Sequence, residues 1–75
     1  MTTIESLTVA QLYALEAESV LSGDKLTHKD CNLVLNAYAD SDCSELSACI
    51  DEERGAVRAA AQRIVEVIRN AEAQQ

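Results

Sequence analysis

Proline, phenylalanine and tryptophan are missing from this chain, and glycine occurs only at Gly23 and Gly55. Little therefore interrupts the local hydrogen bonding of the backbone. The abundant Ala, Leu, Glu and Arg favour helix throughout. Tyr13 and Tyr38 are the only aromatic side chains, so a core has to be built from Leu, Ile, Val, Cys and many Ala. Alanine lets helices approach closely but buries little area per residue. The 75 residues are expected to form a single helical domain, 1–75. A chain this short buries only roughly 60% of its unfolded surface. Such chains commonly draw further stability from a disulfide, a metal or a second subunit.

Bases are scarce as well. Six Lys and Arg stand against 13 Asp and Glu, for a net charge of -7. That balance argues against direct binding to nucleic acid or to an anionic membrane, both of which attract cations. It suits a partner protein with a basic surface. No apolar run is long enough for a transmembrane helix. The first residues lack the charged and apolar regions of a signal peptide. Cys31, Cys43 and Cys49 make an odd number, which fits free thiols in a reducing compartment, and a cytoplasmic location is expected.

What is present is a series of helix signals. Thr8-Val9-Ala10-Gln11 reads as a capping box, flanked by Leu7 and Leu12 as a hydrophobic staple. A first helix is expected over about residues 9–22, stopping at Gly23 in a left-handed conformation. Thr27 followed by Asp30 suggests a second cap, with Leu26 and Cys31 as staple, and a helix over about 28–39. Its apolar face is Cys31, Val34, Leu35 and Tyr38. Asp40-Ser41-Asp42 is turn material.

From Asp42, with Glu45 three positions later, a third helix is expected over about 43–72. Its stripe is Leu46, Cys49, Ile50, Val57, Ala60, Ala61, Ile64, Val67, Ile68 and Ala71, at spacings of three and four. Gly55 interrupts it at a cost on the order of 1 kcal/mol, and Glu53 falls within the stripe. The stripe nevertheless keeps its phase across Gly55, and no capping side chain precedes Ala56. The pattern therefore favours one continuous helix about 45 Å long, with a kink or break near Gly55 as the alternative. The shorter helices, about 21 and 18 Å, leave part of that stripe uncovered. The expected fold is all-α, a helical bundle completed as a homodimer, with Val57, Ala60, Ala61, Ile64 and Ile68 at the self-association surface.

The residues that carry chemistry are few. Asp40, Asp42, Glu45, Asp51, Glu52 and Glu53 form an acidic run with no base among them. Acids favour a solvated helix start through the helix dipole. The same run, through Asp40, Asp42, Glu45, Glu52 and Glu53, suits docking on a basic protein surface or imitation of nucleic-acid phosphates. Leu12 and Leu15 point away from the face formed by Tyr13, Ala17, Val20 and Leu21, and Leu33 lies opposite Val34, Leu35 and Tyr38. Leu12, Leu15 and Leu33 are thus the candidate apolar contacts to a partner. His28, Cys31, Cys43 and Cys49 lack the close ligand pairs of a structural zinc site. No nucleophile–base pair is visible. No enzyme activity, metal or cofactor is expected.

One segment resembles a known family. Asp40-Ser41, Glu45-Leu46 and Asp51-Glu52-Glu53-Arg54-Gly55 resemble the modification segment of acyl carrier proteins. The resemblance implies an acidic helical carrier with Ser41, at a helix start, bearing a phosphopantetheine arm. The family has Leu after that Ser where this chain has Asp42, and a long preceding loop where this chain has a capped helix. The reading that best accommodates all residues is a small acidic, non-enzymatic protein-binding module. It would act as an inhibitor or adaptor by occupying a partner's surface, as viral inhibitors of host machinery do. A carrier modified at Ser41 and an acidic nucleic-acid mimic are the alternatives.

Overall fold

A computed structural model describes residues 1–52 and 55–74. Those residues form a short 3-10 turn, Ile4–Ser6, and four α-helices: α1 (Val9–Ser22), α2 (Lys25–Ala39), α3 (Leu46–Glu52) and α4 (Ala56–Ala73). No strand occurs among them.

α1 begins as its sequence predicts. The Thr8 hydroxyl oxygen accepts from the Gln11 N–H at 3.2 Å, and Gln11 Oε1 accepts from the Thr8 N–H at 2.9 Å. Two otherwise orphaned donors are satisfied reciprocally. α1 ends at Gly23, whose φ of 79° only glycine adopts without strain. The Asp24 N–H then returns to the Ser19 carbonyl at 2.9 Å.

α2 starts three residues before the expected position. Its cap is Asp24, not Thr27: Asp24 Oδ1 accepts from the Thr27 N–H at 3.1 Å, and Oδ2 from the Thr27 hydroxyl at 2.6 Å. These two hydrogen bonds stabilise the ionised form, so the Asp24 carboxyl titrates below its ordinary range.

The expected long helix is two helices. α3 ends at Glu52 and α4 begins at Ala56, directly after Gly55, whose φ of 72° and ψ of −125° lie outside the helical region. No side chain caps the new helix; the Gly55 carbonyl accepts from the Ala59 N–H at 3.0 Å. A helix of about 45 Å would not fit a molecule of 34 × 24 × 21 Å. The shared phase across Gly55 arises because α3 and α4 both turn their apolar faces to one core, not because they are continuous. α3 also begins later than Asp42 suggested, with Glu45 accepting the first helical hydrogen bond from Cys49. Glu53 lies outside the described residues.

α2 is the central element, with α1 and α4 packed against it, while α1 and α4 barely touch each other. α3 closes the end of the bundle against α2, α4 and the 3-10 turn. Leu12, Val34, Ile50 and Ile64 are fully buried, one from each helix. Each such side chain contributes about 1.5–3 kcal/mol by its removal from water. Asp30 of α2 is buried within this core and receives both Nε and Nη2 of Arg63 from α4, each at 2.9 Å. This bidentate pair fixes the α2–α4 register and gives the buried carboxylate its required partner. The N-terminal segment is tied down at the other end of α4, where Arg69 Nε donates to the Thr2 carbonyl at 2.7 Å and the Thr2 hydroxyl donates to Glu72.

Candidate interaction surface

α1 is apolar on nearly every side, and its orientation decides what the molecule presents to solvent. Leu12 is completely buried, and Leu15 is half-buried against the same core. Tyr13, Val20 and Leu21 retain 59, 60 and 89% of their accessible surface. The orientation expected from the sequence is therefore reversed. Leu12 is a core residue with no surface to offer a partner. The physical reason is the staple: Leu7 precedes the Thr8 cap and is itself buried, so it draws Leu12, one turn on, into the core. Leu33 is likewise half-buried and packed on the core instead of standing free.

The outward face of α1 consists of Ala10, Tyr13, Ala14, Ala17, Val20 and Leu21, all exposed. These positions fall on one side of a helix with 3.6 residues per turn. Leu26, 61% exposed, extends the apolar surface around the Gly23–Asp24 corner onto the start of α2. The Gly23 stop and the Asp24 cap form that corner, so the patch is carried by two hydrogen-bonded helices.

Beside this face runs a groove of about 300 Å3 between α1 and α4. Gln11, Ala14, Leu15 and Glu18 form one wall, and Val67, Ile68, Ala71 and Glu72 the other. Its floor is apolar and both walls carry a carboxylate. The first 24 residues contain Glu5, Glu16, Glu18 and Asp24 but no Lys or Arg. The apolar surface is thus bordered on α1 by acids alone. A larger and shallower depression of about 590 Å3 lies between the 3-10 turn and α4. Its Arg63 and Arg69 are already engaged by Asp30 and the Thr2 carbonyl.

The residues expected at a self-association surface divide between buried and half-buried positions. Ala60, Ala61 and Ile64 are buried in the core, and Val57 and Ile68 pack half-buried against it. With α3 and α4 as separate helices, Leu46, Cys49, Ile50, Ala60, Ala61 and Ile64 of the stripe are covered within the chain, while Val67, Ile68 and Ala71 keep exposed surface. Val65, omitted from that stripe, is also buried.

Asp40, Asp42, Glu45 and Glu52 are exposed around the α2–α3 connection. Asp51 lies 3.6 Å from Arg58, and the Cys43 thiol donates to Glu52 at 3.4 Å. Asp51 is exposed as well, so every described member of the run faces solvent. His28 sits 3.4 Å from Glu16 and 3.3 Å from the Asn32 side-chain amide, linking α2 to α1. Cys31 is buried, and that burial, with Glu16, Asp30 and Asp24 nearby, pushes its thiol up to about 11. Burial also raises Cys43, and Cys49 is a buried free thiol. Among the described residues, no group of three His, Cys, Asp or Glu side chains is placed to hold a metal ion.

Ser41 does not stand at a helix start. It follows the end of α2, its hydroxyl donates to the Tyr38 carbonyl at 2.9 Å, and α3 begins only at Leu46. The acyl-carrier arrangement, in which the modified Ser opens a helix, is absent at this position. Among the described residues no helix is long and apolar enough to cross a membrane. The chain matches no protein-family model, no curated protein and no solved structure.

Proposed function

We propose that this chain is a non-enzymatic protein-binding module, acting as an inhibitor or adaptor by occupying a partner's surface with the outward face of α1. The observation that carries this reading is the exposure of Tyr13, Val20 and Leu21 on a helix whose opposite side is already committed to the core. Isolated exposed apolar residues are ordinary. A contiguous set that covers one whole helix face and continues onto Leu26 is characteristic of contact surfaces. The partner is a different protein with a basic surface, because this chain's charge of -7 repels a second copy and attracts cations.

Affinity capture from cells with the wild-type chain, Leu21→Glu and an acid-neutralised variant (Asp42→Asn with Glu45→Gln) tests this reading. The expected result is a partner retained by the wild type and the neutralised variant and lost with Leu21→Glu. Retention by Leu21→Glu would overturn it. The exposed carboxylates Asp40, Asp42, Glu45 and Glu52 favour a second reading, an acidic mimic of nucleic acid. In that case the neutralised variant alone loses the partner, and DNA or RNA competes for it with strong salt dependence.

A further inference from the structure

The binding-module reading leaves open what chemistry the partner presents, and the groove beside α1 supplies an answer. We infer that the α1–α4 groove receives an amphipathic helix from another protein, with apolar side chains seated on Leu15, Val67 and Ile68 and Lys or Arg residues against Glu18 and Glu72. This rests on the binding-module reading and assigns its partner.

Three observations point to that occupant. First, α1 and α4 each pack on α2 but barely on each other, which leaves a cleft between residues 11–18 of α1 and 67–72 of α4. Leu15, Val67 and Ile68 are only half-buried by the chain's own core, so part of each remains for a further layer. A volume of about 300 Å3 is at the lower end of ligand-sized pockets. It suits inserted side chains of a helix better than an enclosed small molecule.

Second, the lips are small. Ala14 and Ala71 stand on opposite walls, so a helix can approach to the usual interaxial distance of about 8–10 Å without displacing bulky side chains. Ala14 also belongs to the exposed outward face of α1. A helix lying in the groove therefore reaches the proposed contact patch without a break. No strand occurs among the described residues, so a partner has no sheet edge to extend here, and helix-in-groove recognition is the mode that fits.

Third, the two charged residues that line the groove are both acids. Glu18 is on the α1 wall and Glu72 on the α4 wall. Glu72 is already oriented by the hydrogen bond from the Thr2 hydroxyl. Arg69, one turn before Glu72, is directed to the Thr2 carbonyl. A second copy of this chain would bring its own acids to these carboxylates, and like charges in close juxtaposition are costly. A helix carrying Lys or Arg beside its apolar stripe gains at both.

The test uses a displayed library of random peptides about 16 residues long, enough to form a marginal helix on binding, selected against the intact protein. The best peptide is then synthesised and titrated into wild-type chain and into Glu18→Lys, Ala71→Glu and Leu21→Glu, each first shown by circular dichroism to be folded. The expected outcome is enrichment of apolar residues at helical spacing flanked by Lys or Arg. The peptide should gain helicity on binding and weaken on the order of tenfold or more with Glu18→Lys and with Ala71→Glu. Acidic or non-helical winners, no winners, or unchanged affinity for both groove variants would overturn the inference. A peptide lost with Leu21→Glu alone would overturn the groove while leaving the α1 face standing. A two-chain mass by light scattering that falls to one chain in Ala71→Glu would place a second copy in the groove and overturn the basic occupant.

Discussion

Replacing Leu12 by Ala should destabilise the fold by about 3 kcal/mol, while replacing Leu21 by Ala should change it by no more than about 0.5 kcal/mol. Both are leucines on α1, nine positions apart, and the sequence alone suggests the opposite ranking. Leu12 is completely buried, in one cluster with Leu7, Val34 and Ile64. Truncation removes three carbons from that cluster, worth about 0.8 kcal/mol each in transfer free energy, or ~2.4 kcal/mol. The cavity left behind adds to this and brings the total into the range of about 2–5 kcal/mol seen for such changes. Leu21 is almost fully exposed, so nothing comparable is lost, and Ala is the better helix former by a few tenths of a kcal/mol. At about 0.05–0.15 kcal/mol per residue, a chain of this length has a total stability of roughly 4–11 kcal/mol. Leu12→Ala thus removes a large fraction of it and should lower Tm by roughly 10–25 °C. Urea unfolding followed by far-UV circular dichroism, extrapolated linearly to water, gives both values. A Leu21→Ala cost equal to or above that of Leu12→Ala would show that α1 packs with its other face inward.

Other consequences follow from particular residues. Gly55→Ala places a side chain at φ 72° with nothing within 4 Å of the new Cβ, so its cost, about 1–3 kcal/mol in thermal unfolding, is conformational and not steric. Arg63→Met should destabilise more than Asp30→Asn, because Asp30 is buried while Arg63 is half-exposed. The first strands a carboxylate in the core and the second leaves a guanidinium that can reach water; parallel urea titrations rank them. Asp24 is held below its ordinary titration range by the Thr27 hydrogen bonds. Its cap therefore stabilises the fold above the ordinary carboxylate range, and that contribution fades as pH falls through the lowered value. The stability gap between wild type and Asp24→Asn should be present at neutral pH, begin to narrow at about pH 4 and close once pH falls below the lowered value.

Local chemistry was legible in the sequence and tertiary choices were not. The Thr8–Gln11 box and the Gly23 stop depend on neighbours three or four residues away, and both stand as the residues imply. The start of α2 was ambiguous for a local reason: Asp24 and Thr27 are both capping types, and the structure uses one as cap and the other as its donor. α1 defeats a periodicity argument because apolar residues lie on both sides. The wider face of Tyr13, Ala17, Val20 and Leu21 looks like the core face, yet Leu12 with Leu7 takes that role. At Gly55 an unbroken phase was compatible with one helix or with two sharing a core. The Asp30–Arg63 pair spans 33 positions, beyond any spacing rule, although a carboxylate at the edge of the Cys31–Val34 stripe was a signal that a cation must come from elsewhere. The candidate surface was hidden for the same reason as the core, since one cannot be assigned before the other.

Photo-cross-linking in cells asks which face of this protein meets a partner. A benzophenone amino acid is placed in separate chains at position 21, on the outward face of α1, and at position 48, on the exposed side of α3. Irradiation should join the position-21 chain to a different protein, and position 48 should yield no such adduct. Adducts at position 48 alone, or an adduct at position 21 made only of two copies of this chain, would contradict the proposed α1 surface.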